Sequence, residues 1–469
     1  MSRVRLTLGW IAQAVGGVLT GGEADTEIAE VVIDSRVAAT GDLFVAIRGP
    51  RFDGHDFVAD VMARGAAAAV VERGFSTGVH EGDAARAVIA VGDTVTALQD
   101  LAHAVRTASG TRVIAITGSA GKTTTKETIA AFLERRNTVV KNKGNLNNHI
   151  GLPLSLMQVR QGPDVAVMEL GMNHAGEIST LVAIAEPDVR VWTNVGDAHI
   201  GFFASPDAIA DAKSEILERA TPSTVLVCNA DDPRVMARAP RFAGRTVTFG
   251  IDNSADVRAT GVEDRGLAGM RARVVTPAGE AVIDSPLLGR GNLSNVLAAT
   301  AVAIDSGIPL QEVADAAARL RPAARRGAVH RLANGVTVVD DSYNSSPAAL
   351  AKALDVIARE QGATRKVAVL GEMLELGEHA LRLHAESGRA VQRSGIDLLY
   401  AVGGDAARAL AASAVQAGMA PAAVTHFATS EEAAPVIARA VRSGDVVMVK
   451  GSRGIRTDLI VDALAAERA

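Results

Sequence analysis

Aromatic residues are scarce: Phe, Trp and Tyr make up 3% of the 469 residues. Cores must then be aliphatic, and there is little material for the stacked-base surfaces of single-strand nucleic-acid binders. There is one cysteine, Cys228, which excludes an intrachain disulfide framework and a cysteine-cluster zinc site. Neither sign of charge dominates. The 48 basic and 53 acidic side chains leave a formal net charge of -5, so no polyanion-binding surface is indicated. No apolar run approaches the roughly 18 residues of a membrane-crossing helix. The opening stretch MSRVRLTLGWIAQAVGG is too short and too mixed for a signal peptide. With a single cysteine, the expectation is a reducing, cytoplasmic location. Internal repeats and low-complexity linkers are also lacking.

What remains is an ordinary globular composition, 48% hydrophobic and 22% charged. At roughly 100–200 residues per domain, the length fits two to four domains. Residues 1–110 mix short strands, such as VVIDSR, GDLFVAIRG, AAAAVVE and AVIAVGD, with turns and short helices. From 111 onward RVIAITG, DVAVMELG, VRVWTNVG and STVLVCNADD read as buried strands between Ala-rich helical segments. After RLRPAARRG the pattern resumes with GVTVVDDSYN, RKVAVLGE, LLYAVGG and DVVMVKGSRG. Strand–helix alternation predicts an α/β fold with parallel sheets and right-handed crossovers. The expected domains are 1–110, 111–322 and 323–469.

The stretch VIAITGSAGKTTTKETIA, residues 113–130, carries the sharpest signal. It predicts an apolar strand, a glycine turn and a helix. A phosphate chain needs several backbone N–H groups aimed at it and a local positive potential, and such a turn supplies both. Gly118 and Gly121 leave room for phosphate oxygens, Lys122 can reach the β and γ phosphates, and the Thr123 hydroxyl can ligate Mg²⁺. The first glycine of the general phosphate-loop pattern would fall at Ile116, so the form here is T-G-x-x-G-K-T-T. Glu169 and His199 each follow a strand, at the strand ends where α/β sheets gather ligands. Taken singly, a Glu is as readily a solvated charge and a His an ordinary surface or core residue. Lys213, in AIADAKSEILERA, reads by pattern as a surface lysine. No Ser/His/Asp or Cys/His set stands out.

In order along the chain, DSRVAATGDLFVAIRGPRFDGHDFV, TGSAGKTTTKE, NKGNLNNHIGLPLSLM, MELGMNHAGEI, TNVGDAHIGFF, AKSEI, GNLSNVLAA, DDSYNSSPAAL, LGEMLELGEHALRLH and VKGSRG resemble the Mur ligase family. The resemblance covers nearly the whole chain. It implies an N-terminal UDP-binding α/β domain, a central phosphate-loop ATPase domain with a mostly parallel sheet, and a C-terminal Rossmann-like domain. It also implies an ATP-dependent amide-bond ligase that adds D-alanyl-D-alanine to UDP-N-acetylmuramoyl-tripeptide through an acyl phosphate. ATP and two Mg²⁺ ions are the implied cofactors, and the implied state is a monomer without nucleic-acid partners. By position, Thr117, Gly118, Ser119, Ala120, Gly121, Lys122, Thr123 and Thr124 would hold ATP. Asn292, Asn295, Arg326 and Asp341 would hold it from the adenine, γ-phosphate and ribose sides. Thr123, Glu169 and His199 would ligate metal. Lys213 matches a lysine that becomes an anion by carbamylation in several members, and Lys122, His199 and Lys213 form the implied catalytic set. Ser35, Arg36, Asp53, Gly54 and His55 would meet the uridine end. Asn145, Asn147, Asn148, Tyr343, Asn344, Lys450, Ser452 and Arg453 would meet the rest of the substrates.

Two departures stand out. The asparagine motif of the family usually follows a histidine, where this chain has Gly291. DDSYNSSP replaces the commoner Y-N-A-N-P, so Ser345 and Ser346 stand for Ala and Asn. The D-N-P-R segment of the meso-diaminopimelate-adding member is missing, which weighs against that neighbouring activity. A folate ligase of the same fold would lack the DSR and FDGH block. A non-catalytic nucleotide switch would lack Lys122, Glu169 or His199, and all three are present.

Overall fold

The computed structural model describes residues 3–75, 87–198 and 200–466. Among the described residues the strands form three sheets. The first has the order Val18–Thr20, Ala87–Val91, Ala68–Glu72, Leu43–Val45, Val31–Val32. Its first pair is antiparallel and the rest are parallel. A helix, Thr94–Ser109, leads out of this sheet. Asp93 caps it by accepting the Thr96 N–H at 2.6 Å, and Gly110 ends it at φ 65°.

The second sheet positions the site. Its order is Gly279–Ser285, Met270–Thr276, Val257–Asp264, Arg245–Gly250, Val225–Asn229, Val189–Trp192, Arg112–Thr117, Val165–Glu169, Val139–Lys141. The strands Arg112–Thr117, Val165–Glu169 and Val189–Trp192 are near-continuous apolar runs because helices cover both their faces. They are parallel, so their C-terminal ends share one rim. The three strands from 257 to 285 pair antiparallel and extend the sheet. Met270–Thr276 alternates buried and exposed positions almost residue by residue, as a half-covered strand does.

The third sheet has the order Ala328–Arg331, Thr337–Asp341, Asp445–Lys450, Arg365–Gly371, Leu398–Val402, Val424–Phe427. Only its first pair is antiparallel. The loops after Thr337–Asp341 and Asp445–Lys450 face the rim of the second sheet across one cavity. The α/β class, three domains and mostly parallel sheets agree with the expectation. No helix among the described residues is long and apolar enough to cross a membrane.

Candidate active site

The strand Arg112–Thr117 runs into a turn at 118–121, then the helix Lys122–Leu133. Gly121 sits at φ 83°, and a Cβ there would lie 2.3 Å from Asn295 Oδ1. A Cβ on Gly118 would lie 2.0 Å from Thr193 Oγ1. A side chain at either position would be strained and would have to displace its neighbour. The turn is tied down from the next strand end. Asn194 Oδ1 accepts the Ala120 N–H at 2.9 Å, the Asn194 carbonyl accepts the Ser119 N–H at 3.0 Å, and Ser119 Oγ accepts the Gly196 N–H at 2.8 Å. The helix N-terminus therefore opens onto the cavity with a rigid cradle beneath it.

Lys122 Nζ donates to the Gly118 carbonyl at 2.8 Å. Its side chain opens onto the cavity, yet enough protein surrounds the ammonium to push its pKa below the ordinary lysine value. Glu169 and Glu375 oppose that shift, and Arg326 adds to it. Thr123 Oγ1 donates to Glu169 Oε2 at 2.8 Å, while Asn147 Nδ2 donates to Glu169 Oε1 at 2.9 Å. Asn142 holds the Glu169 backbone from both sides, at 3.0 and 3.2 Å. The buried carboxylate is thus aimed at the first turn of the helix. Among the described residues, no group of three or more His, Cys, Asp or Glu comes together as a metal cage. Thr123 and Glu169 do present a hydroxyl and a carboxylate side by side. That oxygen pair suits Mg²⁺, which keeps water and phosphate oxygens as its other ligands.

The third domain closes the opposite wall. Arg326 Nη2 donates to Thr123 Oγ1 at 3.2 Å. Its guanidinium lies 4.2 Å from the centre of the Tyr343 ring, with Arg453 5.8 Å from the same ring. Lys450 is buried and donates to Asp341 Oδ2 at 2.5 Å and to the Asn344 carbonyl at 3.1 Å. Ser452 Oγ accepts the Leu374 N–H at 2.9 Å. Asn292 Nδ2 donates to the Leu288 carbonyl at 2.9 Å, and Asn295 Nδ2 donates to Asn292 Oδ1 at 3.1 Å.

These groups line one cavity of about 630 Å³, together with Ser119, Ala120, Thr124, Asn145 and Asn148. Thr117 and Gly118 lie just behind the lining. Lys213 does not line the cavity and is no surface lysine. It is 1% exposed on the helix Pro206–Ser214, and burial pushes its pKa far down, with the charge on Lys122 adding to the effect. The pattern reading failed because helix faces cannot be told apart in an Ala-rich segment. His199 lies outside the described residues.

The expected uridine-side residues sit in the first domain, away from this cavity. Arg36 forks onto Asp34 at 2.6 and 2.9 Å, which holds the Asp34 pKa down at about 2. The Ser35 carbonyl accepts from Arg64. His55 is buried, with Nδ1 2.6 Å from Asp53 Oδ1 and Nε2 accepting the Glu72 N–H at 3.0 Å. Arg48 donates to Asp53 at 2.8 Å, and this contact is the main cause of a strongly lowered Asp53 pKa. A Cβ on Gly54 would lie 2.7 Å from the Ile47 nitrogen. Asp53, Gly54 and His55 therefore brace the fold locally, and both ring nitrogens of His55 are engaged.

Three family models match the chain. They are the Mur ligase family catalytic domain over 27–106, the Mur ligase middle domain over 116–303, and the Mur ligase glutamate ligase domain over 325–453. The chain belongs to the Mur ligase family. This Mur ligase is 33% identical over 462 residues to the UDP-N-acetylmuramoyl-tripeptide–D-alanyl-D-alanine ligase of Bacillus subtilis, with 98% of each chain covered. Its structure is similar to a crystal structure of MurF from Acinetobacter baumannii. The TM-score is 0.88 at 31% identity, over 99% of this chain and 100% of that one. It is also similar to MurF ligase from Thermotoga maritima in complex with ADP, with a TM-score of 0.81 at 30% identity, over 93% and 97%.

Several residues that shape this Mur ligase's cavity went unnoticed in the sequence. Asn194 is the main one, since it fixes the phosphate loop from 74 positions away. Its place after an apolar strand, in TNVG, was the available signal. Lys352 was missed too, since it stands in no motif, and so was Asn142, although it opens the stretch NKGNLNNHIGLPLSLM.

Proposed function

We propose that the chain is an ATP-dependent ligase joining D-alanyl-D-alanine to UDP-N-acetylmuramoyl-tripeptide through an acyl phosphate. The reaction belongs to the cytoplasmic stage of peptidoglycan synthesis. The observation that carries the reading is the hydrogen bond from Arg326 of the third domain to Thr123 of the phosphate loop. It brings phosphate-binding and amine-side groups into one cavity. The full-length similarity to ligases of that name supports the choice of substrates.

A carboxylate is a poor electrophile, since its charge repels an amine and oxide is a bad leaving group. In the first step a terminal carboxylate oxygen of the tripeptide attacks the γ-phosphorus and ADP departs. Lys122, Arg326 and the N–H groups of the helix start bear the charge on the transferring phosphoryl group. Bound Mg²⁺ would neutralise phosphate charge beside Thr123 and Glu169. Next, the D-alanyl-D-alanine amine attacks the acyl carbonyl, loses a proton and expels phosphate, leaving the new amide. On this reading Asn147 and Asn148 would meet the tripeptide, with Lys450, Ser452 and Arg453 facing them from the third domain; all five line the cavity. Packing of the third domain onto the loop excludes water, which would otherwise hydrolyse the acyl phosphate.

The test is phosphate release from ATP and Mg²⁺, with the amine varied. Release should need both the tripeptide nucleotide and D-alanyl-D-alanine, and Lys122→Ala should abolish it. Release with a single diamino acid and a shorter nucleotide peptide would move the reaction one step upstream. ATP binding without turnover under any pairing would overturn the ligase reading.

A further inference from the structure

Gly291 lies in the first turn of the helix Gly289–Asp305, one residue before Asn292. A Cβ built there would sit 3.1 Å from Cδ of Lys352 and 3.8 Å from its Nζ. Lys352 belongs to the helix Pro347–Arg359 of the third domain. The room that a side chain at 291 would fill is therefore taken by one arriving from another domain. The same two helices meet again nearby, since a Cβ on Gly289 would lie 2.7 Å from Val356 Cγ2. Lys352 and Val356 are four residues apart and share a helix face. That face, with Ala353 and Ile357, lines the cavity opposite Leu288 and Asn292. The result is a largely apolar slot with polar groups at one edge, the form a purine site takes.

Among the described residues, no hydrogen bond or ion pair holds Lys352 Nζ. Its side chain is exposed, but it opens onto the cavity. The protein around it pushes its pKa below the ordinary lysine value, and Asp232 acts the other way. Asp232 is itself occupied: it accepts the N–H groups of Val195, Arg234 and Val235 at 2.7, 3.0 and 3.1 Å. An ammonium offers three donors and no acceptor. The ring nitrogens and ribose oxygens of a nucleotide are acceptors.

We propose that Lys352 is a nucleotide-contacting residue, delivered by the third domain into the space left by Gly291 to hold the base–ribose end of ATP beside Asn292. This rests on the ligase reading above. Its consequence is reciprocal: bound nucleotide favours the packed arrangement of the two domains, and packing tightens the nucleotide.

The variant Lys352→Met keeps the stem and removes the donors. It should raise KM for ATP about tenfold, the order of one charge-assisted hydrogen bond, with a smaller effect on kcat and none on the melting temperature. ADP binding measured by calorimetry should weaken by a similar factor. Lys352→Arg should retain most of the affinity. Adding Gly291→His to Lys352→Met should restore part of it, because a side chain from the helix itself would refill the slot. Unchanged KM for ATP and unchanged ADP binding in Lys352→Met would overturn the proposal. So would equal losses in kcat, affinity and melting temperature, which mark a packing role. A wild-type enzyme that releases no phosphate from ATP would instead overturn the ligase reading itself.

Discussion

Lys213 is 1% exposed, and burial and the charge on Lys122 both oppose its protonation. A neutral amine is the form that adds CO₂: its lone pair bonds the carbon, a proton leaves, and an N-carboxylate remains. The anion would offset the charge on Lys122 and could support a cation near Glu169. Lys213→Ala should therefore lower kcat by roughly 10–100-fold, the usual cost of losing a group that supports a metal ligand. Acetate should restore part of it by supplying a carboxylate to the space left behind. A Lys213→Ala enzyme of normal activity would leave the lysine a core-filling role only. At this scale the sequence was legible where chemistry is local. Gly118, Gly121, Lys122 and Thr123 stand within six positions, and their spacing alone implies a phosphate cradle. Lys213 was legible only through the resemblance, and Asn194 not at all, because what makes them matter is a partner far along the chain.

The helix Ala380–Arg393 holds its neighbours through one buried ring. His384 Nδ1 lies 2.7 Å from the Ala380 carbonyl, and Nε2 accepts the Met373 N–H at 2.8 Å. The ring is therefore neutral, and burial lowers its pKa below 6.5. The unfolded chain takes up this proton at a higher pH than the folded one does. Folding stability from this group is full above about pH 6.5 and falls as pH drops toward the folded pKa, by at most about 1.4 kcal/mol per unit. Protonation would also remove the acceptor that fixes Met373, next to Leu374 and Glu375 in the cavity wall. Melting curves from pH 7.5 to 5 should fall more steeply for the wild type than for His384→Gln. Parallel curves would deny His384 this part. Elements were legible in the same uneven way as residues. Strands buried on both faces, such as Val165–Glu169 and Asp445–Lys450, announce themselves as apolar runs. The strands from 257 to 285 alternate with Arg, Glu and Asp and were not anticipated, although period two was their signal. Val139–Lys141 and Val424–Phe427 are short edge strands with too few residues to show any period.

At the scale of the whole molecule, one buried apolar cluster runs through all three domains, and specific polar and backbone contacts fix how they meet. Arg160 Nη2 joins the first and central domains, donating to the Ala29 carbonyl and to Glu30 Oε1, both at 2.6 Å. The central and third domains touch backbone to backbone beside the cavity. The Gly201 N–H donates to the Glu375 carbonyl at 3.0 Å. A Cβ on Gly201 would lie 2.5 Å from the Gly377 nitrogen, and one on Gly377 would lie 2.9 Å from the Gly201 Cα. Both obstacles are main chain, so neither can swing aside as a long side chain would. Gly201→Ala must then push back the third-domain loop that carries Glu375, whose charge acts on Lys122. A displacement of about 1 Å in such a positioning contact costs on the order of 100-fold in rate. The expected result is a kcat lower by about that factor, with a nearly unchanged melting temperature, because the change removes no buried apolar side chain. Gly377→Ala should do the same and add backbone strain, since its φ is 53°. Gly92→Ala, whose Cβ would meet nothing within 4 Å, should turn over normally. Wild-type turnover by Gly201→Ala would mean that the phosphate end of the cavity works without the third-domain loop pressed against it. Catalysis would then draw on the other contacts between these two domains, such as Arg326 with Thr123.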